Sequence, residues 1–249
     1  MVKIGLLIMW LLLVFAGCDS SDKSIVQKET NESQQKILNI EIPVILSDPL
    51  KELDLAMYKK DGYYIAGSHV WLDEKVPHGI ILLAKDREEF HTSTGLLYAI
   101  EFAYEPDLNN QWKIKTETRI TGFGSYGKVA ERVIFLKLGI KQFAFALIQD
   151  DLYTGGIDEI RFSLFGRING KYECIMEQLT DSSNVGAVEE NSPEYFSESS
   201  EIFIIENKDK EFFDLRVKTK LQKGNKILPE EVKILTFKNG NYEIIPPSK

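Results

Sequence analysis

Asp150, Asp151, Asp158 and Glu159 bracket a Gly155-Gly156 turn in the stretch QDDLYTGGIDE, residues 149–159. Carboxylate oxygens are the ligands that hard cations take, and a glycine turn lets them fold around an ion, so this pattern points to calcium. The spacing differs from that of an EF-hand loop. Paired carboxylates also perform acid–base hydrolysis, for which their separation in space is decisive. Against both chemistries stands a solvated hairpin loop, the commoner fate of acidic residues beside a Gly-Gly turn.

Other reactive side chains are sparse. The three histidines, His69, His78 and His91, fall within one short region with Asp73 and Glu74 between the first two. No H-E-x-x-H spacing joins them, and zinc needs imidazoles that converge. Gly122-Phe123-Gly124-Ser125-Tyr126-Gly127 matches G-x-G-x-x-G literally, with Asp150 downstream. A dinucleotide site needs a helix after those glycines. The sequence beyond alternates toward strand from Val133, so a glycine-rich turn is expected instead. Phe123 stands two residues before Ser125, so the G-x-S-x-G elbow of a serine hydrolase is missing. Cys174 has no C-x-x-C partner and shares a strand face with Tyr172 and Met176, which reads as a buried, inert thiol. It has a disulfide partner in its own chain only if Cys18 stays free.

The elements that would position these groups are strands. In residues 213–221 (FDLRVKTKL), apolar or β-branched residues alternate with charges, the signature of a half-buried strand. Ile40, Ile42 and Val44 alternate with Asn39, Glu41 and Pro43, and proline confines such a strand to a sheet edge. Asn169-Gly170 and Asn239-Gly240 are two-residue hairpin turns, since both turn positions need positive φ. The run VIFLKLGIKQFAFALI, residues 133–148, divides at Gly139 into two buried strands. One helix is expected over residues 48–60, with Asp48 as cap, Pro49 at the first position and lysines at the end. A hairpin through Asp61-Gly62 competes with it. Residues 180–200 lack periodicity and read as a long acidic loop. The fold class is therefore mainly β: an antiparallel, hairpin-rich sandwich or barrel-like domain with at most one or two short helices.

The 249 residues carry a net charge of −8, which argues against nucleic acid as a partner, because phosphates demand clustered Lys and Arg. Residues 4–17 (IGLLIMWLLLVFAG) carry no charge and follow Lys3. A membrane span needs about 20 apolar residues, so this run is short for a span and suits a signal-peptide core. An uncleaved anchor helix or an ordinary secretory signal would share that core. The run ends on Phe15-Ala16-Gly17-Cys18-Asp19. That junction resembles the lipobox of bacterial lipoproteins: an aliphatic residue, a small or aliphatic residue, Gly or Ala, then Cys. The resemblance covers residues 1–19 and has Phe15 in the first position. It implies that Cys18 becomes the mature N-terminus and takes diacylglycerol through its thiolate. It also implies that Asp19 acts as a retention signal for the inner membrane in hosts that sort in the enterobacterial way.

Three segments follow: a signal peptide over 1–17, a lipidated Cys and flexible tether over 18–36, and a single β-rich domain over 37–249. The polar tether cannot bury a core. As a coil of 18 residues, 19–36 would reach about 23 Å. Two or three acyl chains on Cys18 would hold the chain to a membrane essentially permanently. The expected role is a non-catalytic binding or interaction protein of the cell envelope. It would sit on the periplasmic face of the inner membrane in a Gram-negative host, or at the outer membrane, and engage an envelope protein partner. No cofactor is expected, calcium excepted. The alternative is an envelope hydrolase using Asp150, Asp151, Asp158 and Glu159, with calcium.

Overall fold

The computed structural model describes residues 48–244 apart from 74–75, 88–93, 106–110, 125, 131 and 154–155. The signal segment, Cys18, Asp19, the tether, the strand expected at 40–46 and His91 lie outside the described residues. The described chain opens with two short helices, α1 (Pro49–Glu52) and α2 (Ala56–Lys60). Strands follow: β1 (Tyr64–Asp73), β2 (Val76–Lys85), β3 (Leu96–Glu105), β4 (Gln111–Ile120), β5 (Arg132–Lys137), β6 (Phe143–Tyr153) and β7 (Ile157–Ile168). The rest are β8 (Lys171–Ser183), β9 (Phe196–Ile205), β10 (Asp214–Lys223), β11 (Lys226–Ile227), β12 (Glu231–Lys238) and β13 (Asn241–Ile244). Among the described residues no helix is long and apolar enough to cross a membrane.

Among the described residues, all strand pairings are antiparallel. A four-stranded sheet runs β1-β2-β3-β4, and a nine-stranded sheet runs β13-β12-β10-β9-β8-β7-β6-β5 with β11 on β10. The mainly β, hairpin-rich reading of the sequence agrees with this. Asn169 and Gly170 (φ 49° and 81°) turn β7 into β8, and Asn239 and Gly240 (φ 51° and 89°) turn β12 into β13. Residues 133–148 do divide at Gly139, between β5 and β6. There an added Cβ would collide with the Glu211 carbonyl, so the turn can lie against the segment before β10.

Strand period two sorts the apolar residues into stacked layers. Ile80, Leu82, Leu97 and Ala99 on the small sheet face Phe145, Leu147, Phe165 and Tyr172 on the large one. Phe145 and Phe165 stack at 4.9 Å. Tyr172 N–H donates to Thr118 Oγ1 at 3.2 Å, tying β8 to β4 across the sandwich. The opposite face of β6–β8 is buried too. Ala146, Ile148, Phe162, Leu164 and Ile175 pack with Phe212, Leu215, Val217 and Leu235 as the far half of the large sheet coils back over them. Phe213 N–H donates to the Leu138 carbonyl at 2.6 Å, and the Tyr242 hydroxyl to the Phe213 carbonyl at 2.7 Å, which fasten the coil.

Two expectations change. Residues 48–60 form two helices with a break, not one helix, and no hairpin. Asp48 Oδ1 accepts the Leu50 N–H as expected, but Leu53 is extended, and Asp54 Oδ1 accepts the Ala56 N–H to begin α2. The break lets Leu53, Leu55 and Tyr58 all bury against Ile81, Leu83 and Phe102 on the outer face of the small sheet, more than one helix stripe would reach. Residues 180–183 and 196–200 are strand, so the acidic loop shrinks to residues 184–195. Thr180, Asp181, Ser182 and Ser183 are buried in the sheet, with Asp181 opposite Ser199 and Ser183 opposite Ser197. Polar residues on both strand faces leave no hydrophobic period to read.

Phe145 has no solvent exposure and anchors the contact between the sheets. Phe145→Ala is expected to cost about 3–5 kcal/mol. Urea titration should show a lower midpoint at unchanged slope.

Candidate functional site

The hairpin of β6 and β7 carries the four carboxylates on strands, not in an open loop. Asp151 pairs with Glu159 and Leu152 with Asp158. Asp158 and Glu159 are neighbours on one strand, so they lie on opposite faces of the sheet. Asp150 is opposite Ile160, which puts it on the face of Asp158. Glu159 lies 3.6 Å from Arg161. Among the described residues, no group of three or more His, Cys, Asp or Glu is placed to hold a metal ion.

His69 and His78 do not converge either. Each stacks on Trp71 at 6.2 Å, so the indole stands between them. His69 also stacks on Phe135 at 5.5 Å, which makes it part of the aromatic seam where β1 meets β5. Burial pulls its pKa below the ordinary 6.5. The G-x-G-x-x-G segment is a turn between β4 and β5 with Gly122, Gly124 and Gly127 at positive φ, and β5 follows it where a dinucleotide site needs a helix. Cys174 is half-buried. Its thiol donates to the Met176 carbonyl at 3.5 Å, and burial pushes its pKa up to about 11, so it stays protonated at neutral pH.

A different charged group occupies the sandwich. Leu97, Ala99 and Glu101 point to the same inner face of β3, and the Glu101 side chain is only 4% exposed. A bulge lies beside it: Glu101 pairs with Thr116 and Phe102 with Ile114, so Lys115 is skipped. Such bulges re-aim a side chain. Arg167 Nε lies 3.0 Å from Glu101 Oε2, and Thr116 Oγ1 donates to the same oxygen at 3.4 Å. Arg167 and Tyr172 are cross-strand partners on β7 and β8. The Tyr172 hydroxyl is pushed far up by burial and then by the Glu101 carboxylate, which keeps it a neutral donor.

These groups open into a cleft of about 40 Å³ at one end of the sandwich, enough for a single water. Trp71 and Phe143, stacked at 4.5 Å, line it together with Asp73, His78 and Lys141. Gln142 at its rim donates to Glu211 Oε1 at 2.9 Å. The arrangement offers a buried carboxylate, a half-exposed guanidinium and aromatic walls. It can orient one small polar group, and among the described residues that line the cleft there is no serine, cysteine or threonine. A broader open groove of about 430 Å³ lies between Asn191 and Pro193 on one side and Lys223–Lys226 on the other. No protein-family model matches the chain, and neither a curated protein nor a solved structure matches it.

The sequence held one sign of this cleft. LLYAIEFAYE places Glu101 mid-strand on the inward face between Ala99 and Ala103, with the other glutamate, Glu105, at the strand end, and an unpaired charge in mid-strand there is untenable. Its partner Arg167 lies 66 residues away and carries no local signal.

Arg167→Ala leaves Glu101 buried without its cation. Arg167 is 43% exposed, so solvent screens part of the pair, and the expected loss is about 2 kcal/mol. Adding Glu101→Gln should recover part of it, as read by urea midpoints of the two variants. His69 binds its proton less readily folded than unfolded, so the unfolded state gains protons first as pH falls through 6.5. Stability should therefore decline below that pH, and His69→Leu should flatten the decline.

Proposed function

We propose that the chain is a lipid-anchored protein of the bacterial cell envelope whose β-sandwich head binds a partner without catalysis. The observation that carries this reading is the uncharged run 4–17 ending on Ala16-Gly17-Cys18. A thiolate is the group that accepts a diacylglycerol chain, and small residues before it suit cleavage at that point. Cys18 is then the attachment point, Asp19 the sorting residue, and 19–36 the spacer that lets the head reach a partner about 23 Å from the bilayer surface. In a Gram-negative host this places the head at the periplasmic face of the inner membrane.

Binding is favoured over hydrolysis because the β6–β7 register divides the carboxylates between the two faces of the sheet, with Asp150 on the face of Asp158 and Glu159 on the other. Asp158 and Glu159 face opposite sides of the sheet, and Glu159 is engaged with Arg161. Antiparallel sheets with open edges supply recognition by strand addition, in which main-chain bonds give affinity. An envelope protein is therefore the partner class, and the acidic surface makes nucleic acid a poor one.

Two experiments test the halves of this reading. In detergent phase separation the wild-type chain should enter the detergent phase and incorporate labelled palmitate. Cys18→Ala should move to the aqueous phase without label, and a wild-type mature protein in the aqueous phase would refute the anchor. For the role, envelope extract is passed over the purified lipoprotein and over Asp150→Ala/Asp158→Ala. Both should retain the same stoichiometric partner, and calcium should leave the melting temperature of both unchanged. Loss of a cellular phenotype in the double variant with partner capture intact would favour the hydrolase.

A further inference from the structure

Residues 215–229 (LRVKTKLQKGNKILP) hold Arg216, Lys218, Lys220, Lys223 and Lys226 and no acid, in a chain whose net charge is −8. They form the β10–β11 hairpin. β12 pairs with β10 only as far as Thr219, and among the described residues β11 pairs with β10 alone, so the turn stands at a corner of the large sheet. Lys218 and Lys220 reach Glu230 and Glu201 only at 3.9 and 3.8 Å. Among the described residues Lys223 and Lys226 have no ion-pair partner. These two lysines are direct cross-strand partners. Like charges so placed repel, and an anion between them removes the repulsion.

The groove of about 430 Å³ lies at this pair. Lys223, Gly224, Asn225 and Lys226 form one wall, and Asn191 and Pro193 the other. The lining offers two ammonium groups and two amides and no carboxylate. Glu189, Glu190 and Glu194 belong to the same loop as Asn191 but do not line the groove. Both walls are fastened. Gly224 N–H donates to the Tyr195 carbonyl at 2.7 Å, and Gln222 Nε2 to the Gly224 carbonyl at 3.0 Å. Asn184 Nδ2 donates to the Glu194 carbonyl at 2.9 Å and its Oδ1 accepts the Phe196 N–H at 2.8 Å, which closes the loop at its base. Beside the groove Ile227, the cross-strand partner of Gln222, is 77% exposed. A small anion would neutralise the lysines and leave Ile227 in water. A surface of anionic headgroups over an acyl layer answers both.

We propose that the β10–β11 hairpin docks on an anionic phospholipid surface, with a headgroup phosphate in the groove between Lys223 and Lys226 and Ile227 in the headgroup layer. A chain of net charge −8 is repelled by an anionic bilayer as a whole, and this hairpin is a face it can turn toward one. The lysine stems lie along the boundary while their ammonium groups stay wet. The docking rests on the anchor at Cys18 only for proximity. A tethered head meets the surface at high effective concentration, so a weak contact is enough to set its orientation.

Hydrogen exchange on the full-length lipoprotein in vesicles tests this. In equal parts phosphatidylcholine and phosphatidylglycerol, the amides of residues 223–228 should exchange about tenfold more slowly than in phosphatidylcholine alone. The Asn239-Gly240 turn, at the other end of the large sheet by the β10–β12 register, should exchange alike in both. Lys223→Glu with Lys226→Glu should abolish the difference, and Ile227→Ser should reduce it. All three side chains are exposed, so the described fold is kept. Equal exchange of 223–228 in the two kinds of vesicle overturns the proposal. So does slowing that survives the double lysine variant, or slowing that inorganic phosphate reproduces in neutral vesicles, which would make the groove a site for a free anion. The anchor reading fails on a different result, a chain that does not float with phosphatidylcholine vesicles. Flotation with the anionic vesicles, lost in the double lysine variant, would then still report the hairpin contact.

Discussion

Strands β6, β7 and β8 are buried on both faces, and that double burial governs the rest of the fold. On β6, Phe145 and Leu147 point to one core while Ala144, Ala146 and Ile148 point to the other. A sheet whose centre is dry on both sides needs two covers. The small sheet supplies one. The other is the far half of the same large sheet, which coils back so that Leu215, Val217 and Leu235 reach Leu164 and Ile175. Right-handed strand twist makes such coiling natural in a sheet of nine strands.

The small sheet meets the same demand one layer further out. Its inner face is committed to the large sheet, so its outer face, with Ile81, Leu83, Ile100 and Phe102, requires a third layer. The broken helical segment is that layer. Leu53 and Leu55 lie in the break between the helices, and both are buried. Local helix propensity gives way there to the burial of side chains, each worth roughly 1.5–3 kcal/mol.

Glu101 is the exception to the apolar rule and marks the end of the dry contact between the sheets. A paired buried charge is weak support for stability, because desolvation offsets most of the attraction. Glu101 holds one donor from β7 and one from β4, and a bulge in the β3–β4 pairing lies directly beside it. The ion pair, the Trp71–Phe143 stack and the neutral Tyr172 hydroxyl together make a polar recess at one end of the sandwich. Its small volume suits a single orienting contact.

The sequence by itself determined what depends on near neighbours. Alternation in residues 213–221 marks β10, the Asn-Gly pairs mark two hairpins, and the run at 133–148, divided at Gly139, marks two buried strands. The anchoring expectation likewise rests wholly on the local pattern around Cys18. Tertiary structure decided what depends on partners distant in the chain. Which sheet each hairpin joins, the break within residues 48–60 and the strand character of polar 180–183 all follow from burial against remote residues. The same holds for the carboxylates. Sequence placed Asp158 and Glu159 side by side, but the strand pleat sends them to opposite faces. Glu101 sits within an apolar strand pattern, but its role comes from Arg167, which only the packing of β7 beneath the small sheet brings within 3.0 Å.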